Sequence, residues 1–314
     1  MMRTENKTRP ELLSFTDFMA AFRAQVEYGP VKLKKKFSVS EQVIHKNNKD
    51  LHGLIVRVPG NKIAPVFYYE DFYDAYKKGS SIEACIDSII EFISEKNLPG
   101  EEFGEFFTSW NNVKDHLIIK MMNIKKNRDV LAHTPYHVYG DMAVVIQIYL
   151  DDPNIGRGAV LVDDSLLTIW GKNREIVFEI AMANMNQYRI KALDLLDFAE
   201  DEELVDRNAP KVFVISYDAP FYGAAAMLRN DFLFEFARKK GKDFYLLPVS
   251  VHEFLLVEQN DEVAEKTLFS ILRSINSDKS LADNMLSDEV FVVSRSDNCL
   301  RYLSDGKELR MRIN

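Results

Sequence analysis

Three side chains that could act together chemically lie in the segment LPVSVHE, residues 247–253: Ser250, His252 and Glu253. They follow a predicted strand, and clefts in α/β layers form at strand ends. A histidine beside a carboxylate can act as a general base, so one hypothesis is a hydrolase-like site. Alternatively, Ser250 and Glu253 have capping-box spacing and only organise a helical turn, with His252 packed beneath it. The absence of G-x-S-x-G and H-E-x-x-H motifs favours the structural alternative.

A catalytic site at His252 would need a further polar side chain within hydrogen-bond reach. The sequence offers two sources for that side chain. Asp141 immediately precedes a predicted strand at residues 142–150, and Asn184 lies on a predicted helix at residues 174–186. A pocket that unites His252, Glu253 and Asp141 would make the enzyme hypothesis the better one.

Gly223 begins a predicted helix over residues 223–240 and is followed by three alanines. Small residues at a helix start let an anion approach the free backbone N–H groups, so a phosphate- or nucleotide-binding site is a second hypothesis. The chain contains neither the spaced glycines of a dinucleotide-binding turn nor a Walker motif. Close packing of the helix on a sheet explains the small residues equally well.

His133 and His137 have a spacing found in zinc sites, but Pro135 lies between them. Proline breaks a helix, so the two imidazoles are not expected on one helical face. We therefore predict no metal site. The sequence indicates no cofactor.

The charge of the chain is uneven. The net charge is -8, and residues 191–207 contain seven acidic and two basic residues, which account for -5 of it. The basic run Lys32, Lys34, Lys35 and Lys36 is interpreted as the solvent face of a strand. We therefore expect no nucleic-acid partner, while the acidic stretch leaves a protein partner open.

The expected location is the cytoplasm. Two cysteines, Cys85 and Cys299, are too few for a disulfide scaffold. The N-terminal residues contain no apolar signal-peptide core, and no apolar run approaches the roughly 18 residues of a spanning helix. We therefore expect no membrane association.

Periodicity predicts an α+β fold with two lobes. The smaller lobe, residues 1–105, contains a helix at 14–28, an antiparallel meander of three strands and an isoleucine-rich helix from residue 82. The larger lobe, residues 106–314, is expected to contain a mixed sheet with flanking helices. In that sheet the strands at 212–216 and 244–247 would be neighbours joined by a helical crossover.

Several segments in one order resemble an uncharacterised bacterial family of unknown function, number 5688, which is typical of gut Gram-positive anaerobes. They are LHGLIVRVPGNKIAPVFYYEDFYDAY, GDMAVVIQIYL, VDDSLLTIWG, FEIAMANM, YGAAAMLRNDFLFEFARKKGKDFYLLP and LPVSVHEFLLVE. Tyr222 and Glu258 depart from the family pattern, where asparagine and proline are common. A second uncharacterised Gram-positive family is more distantly similar. The resemblance implies a shared fold and a cytoplasmic location, but no reaction.

The leading functional hypothesis is a cytoplasmic, non-catalytic binding or interaction module. It depends on the lack of a catalytic or cofactor motif and on the acidic stretch. The alternatives are a hydrolase-like enzyme that uses His252 and Glu253, and a phosphate or nucleotide binder at Gly223.

Overall fold

The computed structural model describes residues 12–29, 33, 37–61, 64–95, 101–152, 156–198, 210–260, 265–278, 281–296, 298–303 and 307. These residues divide into two compact units. Unit 1 contains the described residues up to Ile44, those from Asp50 to Glu105, and Asp152. Unit 2 contains His45–Lys49, Phe106–Asp151 and the described residues from Gly156 onward.

Unit 1 is built from helices and a three-stranded meander. Its elements are α1 (Phe15–Tyr28), β1 (Ser38–Lys46), β2 (Lys49–Arg57), β3 (Val66–Tyr68), α2 (Tyr69–Lys77) and α3 (Ile82–Glu95). The strands lie in the order β1-β2-β3. The predicted first helix, meander and isoleucine-rich helix are confirmed. Helix α2 was not predicted from the sequence, because its apolar residues are aromatic and aromatic residues are common in strands.

The core of unit 1 forms between the apolar faces of α1 and α3. Ser14 caps α1, its hydroxyl accepting a hydrogen bond from the backbone N–H of Asp17 at 3.2 Å. Phe22 of α1 and Ile89 of α3 are fully buried in the same cluster. Cys85 lies on the buried face of α3, and burial raises the pKa of its thiol. This cysteine therefore packs as a small core residue.

The remaining elements lie mostly in unit 2. In chain order they are α4 (Glu101–Thr108), α5 (Trp110–Val113), β4 (Leu117–Asn123), α6 (Arg128–Leu131), β5 (Tyr136–Tyr139), β6 (Met142–Asp152), β7 (Gly156–Leu161), α7 (Asp164–Trp170), α8 (Arg174–Met185), β8 (Ile190–Asp194), β9 (Val212–Tyr217), a 3₁₀-helix (Gly223–Leu228), α9 (Asn230–Lys240), β10 (Phe244–Leu247), β11 (Phe254–Glu258), α10 (Glu265–Ser277), β12 (Phe291–Ser294) and β13 (Cys299–Tyr302).

A four-stranded sheet of unit 2 is formed by β4, β6 and β5, with β7 paired to β6. In the antiparallel register of β4 and β6, Lys120 lies opposite Val145. Side chains alternate between the two faces of a sheet, so Lys120 shares a face with Val145 and with Gln147, two residues further along β6. Ile119 and Met121 occupy the opposite face, in the main core of unit 2.

The second sheet of unit 2 has six strands in the order β13-β12-β10-β11-β9-β8. The predicted α+β class is confirmed, but two details are wrong. Strands β9 and β10 share the sheet without being neighbours, because β11 pairs antiparallel with both of them. The sheet is antiparallel rather than mixed at each pairing of described residues. The cause is the short connection after β10, which folds β11 back beside it as antiparallel strands permit.

The helix predicted over residues 223–240 is divided into two pieces. Gly223–Leu228 is a 3₁₀-helix, and α9 begins only at Asn230. Helix α9 ends at Lys240, as predicted, and Gly241 follows it in the left-handed conformation that often terminates a helix. Residues 191–194 of the acidic stretch lie in β8, and its residues 199–207 lie outside the described residues, as does the basic run at Lys32 and Lys34–Lys36. Where the chain is described, no helix is long and apolar enough to cross a membrane.

Candidate functional site

Ser250 lies in the connection between β10 and β11, where its hydroxyl organises the turn. Ser250 Oγ accepts hydrogen bonds from the backbone N–H groups of His252 at 3.1 Å and Glu253 at 3.3 Å. The Ser250 N–H donates to the Glu253 carbonyl at 3.2 Å. The serine hydroxyl therefore binds backbone as a helix cap does, although residues 248–253 are not helical.

His252 and Glu253 are both exposed. The expectation that His252 packs beneath the turn is wrong, because Val251 takes the buried position instead, with 1% of its surface exposed. The His252 ring stacks on Tyr222, with ring centroids 5.7 Å apart and planes inclined by 25°. This histidine covers the outer side of Tyr222.

Asp141 and Asn184 have other partners. Asp141 accepts a hydrogen bond from Ser287 Oγ at 2.7 Å, and burial raises the pKa of its carboxyl. Asn184 donates to the carbonyls of Lys114 at 2.8 Å and Leu117 at 3.0 Å, which ties α8 to the start of β4. The structure therefore does not unite Asp141 and Asn184 with His252 through these contacts.

Gly223 is buried because its backbone packs against another segment of backbone. A Cβ at this position would lie 2.3 Å from the His252 carbonyl oxygen and 2.6 Å from Ser216 Cβ. The adjacent Ala224 N–H donates to the Val251 carbonyl at 3.3 Å. The space in which an anion would approach this helix start is occupied by protein, so close packing explains the glycine.

The two histidines with zinc-like spacing lie in different environments. His133 is exposed in a turn after α6. His137 is buried on β5, and its ring centroid lies 4.1 Å from that of Phe178. Among the described residues, no group of three or more His, Cys, Asp or Glu side chains could hold a metal ion.

A cavity of about 220 Å³ lies within unit 2, over the face of the four-stranded sheet that contains Lys120. We refer to it as the Lys120 cavity. Its polar lining residues come from β4, β6, the segment before the 3₁₀-helix, the end of β1 and the turn after it: Lys120, Gln147, Tyr222, His45, Lys46 and Asn47. Two of the described lining residues are lysines and none is acidic, although the chain as a whole is acidic.

Lys120 is the unusual residue of this cavity. Only 5% of its surface is exposed, and no described residue forms an ion pair or a hydrogen bond with its Nζ. The Nζ instead lies 4.4 Å from the centroid of the Tyr222 ring. Burial, the larger cause, and the positive charge of Lys46 together lower the pKa of Lys120 to about 8. An ammonium group is therefore held in an environment that disfavours its charge.

Tyr222 and Gln147 form the other polar part of the cavity. Burial raises the pKa of the Tyr222 hydroxyl, and a hydrogen bond with the Gln147 side chain partly opposes that effect. Gln147 is 7% exposed, and its Oε1 accepts no hydrogen bond within the described part of the chain. Asn47 Oδ1 is likewise buried without a donor. Buried amide oxygens normally have a partner, so these two acceptors without a described donor are unusual for residues that line a cavity.

Asn48 fixes the turn that closes the cavity. Its φ of 60° is left-handed, a conformation that asparagine adopts more readily than most residues. Its amide nitrogen donates to the carbonyls of Ala282, Asp283 and Met285, the shortest contact being 2.7 Å. Asn127 exchanges two further hydrogen bonds with it, at 2.8 and 2.9 Å. The neighbouring His45, Lys46 and Asn47 are thereby held in place.

Comparison with known proteins identifies a family. The family described as "Family of unknown function (DUF5688)" matches residues 15–295. The chain belongs to this family. No curated protein and no solved structure matches the chain. The resemblance stated from the sequence is thus confirmed, and membership in DUF5688 places the candidate site in a family of unknown function.

For this DUF5688 chain, sequence reasoning missed Lys120, Gln147 and the position of residues 45–47 in the wall of the cavity. A signal for Lys120 was present. It is the single charge in the apolar run Leu117–Met122, LIIKMM, and a buried charged side chain is uncommon unless it is paired. Tyr222 was noted only as a departure from the family pattern, because nothing in the sequence places it over Lys120.

Proposed function

We propose that unit 2 is a binding module for a small anion, which occupies the Lys120 cavity. One observation carries the proposal. Lys120 is buried beside the charge of Lys46 in a cavity whose described lining contains no carboxylate. An ion pair in such surroundings gains more than one in water, because the local dielectric constant is lower.

The size and lining of the cavity restrict the ligand. A volume of about 220 Å³ equals the share of roughly seven water molecules in the liquid. The two unsatisfied oxygens, Gln147 Oε1 and Asn47 Oδ1, favour an anion that also has a hydrogen-bond donor. A hydroxy acid of a few carbons or a protonated phosphate meets both conditions.

The burial of Lys120 destabilises the folded chain, and this destabilisation supports a binding role. Lowering the pKa of a lysine from 10.5 to about 8 corresponds to about 3 kcal/mol of destabilisation at neutral pH. Natural proteins carry such costs mainly at functional sites. A bound anion offsets the cost, because it supplies the missing counter-charge.

The test measures binding of glycolate and of inorganic phosphate by titration calorimetry. We expect saturable binding that weakens at least about tenfold in Lys120→Met and in Lys46→Met. Lys266→Met, which removes an exposed lysine on α10, is the matched control and should bind as the original chain does. Absence of binding for both anions, or equal binding by all variants, contradicts the proposal.

The cytoplasm is the proposed location. Cys85 and Cys299 carry thiols and form no disulfide, which supports a reducing compartment. Fractionation of cells that express the tagged chain tests this location. Recovery outside the cytoplasmic fraction contradicts it.

A further inference from the structure

We infer that Lys120 Nζ forms an imine with a small oxo acid held in the Lys120 cavity. This inference rests on the anion site proposed above and adds a covalent activity to it. The ligand class is a 2-oxo acid or an aldehyde acid of a few carbons. Its carboxylate provides the charge, and its carbonyl group reacts with the amine.

The reaction is balanced without an added reagent. The lone pair of neutral Nζ attacks the carbonyl carbon, and the carbonyl oxygen takes up a proton to give a carbinolamine. Loss of that hydroxyl as water, together with the second amine proton, leaves a C=N bond. One carbonyl compound and one amine thus give one imine and one water, and nothing is oxidised or reduced.

The surroundings of Nζ favour the neutral amine, which is the nucleophilic form. A lysine held by a carboxylate is kept protonated, whereas no described carboxylate contacts Lys120. Its pKa of about 8 gives about 300-fold more free amine at pH 7 than an ordinary lysine has. Buried lysines are used as Schiff-base nucleophiles for this reason.

The same surroundings suit the product. A protonated imine keeps the positive charge at the nitrogen, so it retains the favourable contact with the Tyr222 ring face that Nζ makes at 4.4 Å. Gln147 Oε1, which lacks a donor among the described residues, can accept from the carbinolamine hydroxyl. Lys46 supplies a cation for the carboxylate.

The experiment traps the imine. The full-length chain is incubated at pH 7 with glyoxylate and cyanoborohydride, and peptides are mapped by mass spectrometry. The expected result is one carboxymethyl group on Lys120, introduced at least about tenfold faster than on the exposed Lys266 of the same sample. This comparison within one protein needs no variant that must fold.

Two further arms test the specificity of the reaction. Replacing glyoxylate with the neutral acetaldehyde should reduce the preference for Lys120 over Lys266, and Lys46→Met should slow modification of Lys120 by glyoxylate. Modification of Lys120 no faster than Lys266 overturns the inference. If glycolate and phosphate still bind, the anion site stands and only the imine is wrong. If neither anion binds and Lys120 is not modified, both proposals fail.

Discussion

Replacing Lys120 with methionine should stabilise unit 2 at neutral pH. Methionine retains most of the length of the side chain without its charge. Removing the charge recovers about 3 kcal/mol, the equivalent of lowering the lysine pKa from 10.5 to about 8. This pKa already reflects the interactions that favour or disfavour the charged amine, so the net expectation is an increase of about 3 kcal/mol in the free energy of unfolding at pH 7.

The pH dependence identifies the cause of this stabilisation. Below about pH 8, Lys120 is charged in both the folded and the unfolded chain, so the folded chain carries the full free-energy cost of burying that charge. Between about pH 8 and 10.5 the folded chain loses that proton while the unfolded chain keeps it, and the stability contributed by this residue rises with pH. The advantage of Lys120→Met should therefore shrink over this range and end near pH 10.5. Groups that do not interact with Lys120 contribute equally in both proteins and cancel in the difference.

The assay is guanidinium denaturation followed by tryptophan fluorescence at pH 7 and pH 10. Trp110 and Trp170, the only two tryptophans, both lie in unit 2 and have ring centroids 5.6 Å apart, so the signal reports that unit. Lys266→Met should change stability by less than about 0.5 kcal/mol, as surface substitutions usually do. The reasoning is refuted if Lys120→Met is less stable than the original chain at pH 7, or if its advantage is equal at both pH values.

Four other substitutions, at three positions, test local features by the same denaturation assay. Ser250→Ala should cost about 0.5–2 kcal/mol, since two backbone N–H groups lose their acceptor; no loss would show that the turn does not need the hydroxyl. Gly223→Ala should cost about 1–3 kcal/mol, because the new Cβ meets the His252 carbonyl, and a neutral result would contradict the close packing. Asn48→Gly should cost about 1–3 kcal/mol through lost hydrogen bonds. Asn48→Ala should cost about 1 kcal/mol more than Asn48→Gly, because alanine is strained at a φ of 60°; equal losses would refute that explanation.

Elements with one buried face could be predicted from the sequence. The isoleucine stripe of α3 and the alternation in β2 are local patterns, since one side of each element faces the core. Strand β4 has no such pattern, because all seven of its residues are buried. A strand covered on both faces is a continuous apolar run that periodicity does not distinguish from other buried segments. The strand with the candidate lysine was therefore missed.

Strand order was also beyond local patterns. The strands β9 and β10 and the helix between them were predicted, but their adjacency was not a property of these segments. It depended on where β11 would pair, and β11 inserts between the two. Strands β10 and β11 are joined by a short connection, so their pairing as a hairpin closes only a short loop. A direct pairing of β9 with β10 would need the longer crossover connection.

The sequence by itself determined the α+β class, the family and the helices α1 and α3, because each shows in patterns of residues close together in the chain. Only the tertiary structure decided the candidate site. Lys120, Tyr222 and Lys46 are far apart in sequence and meet because β4, the segment before the 3₁₀-helix and the end of β1 enclose one cavity. The lowered pKa of Lys120 likewise arises from the side chains that exclude water around it. Burial of that kind is a property of the assembled fold.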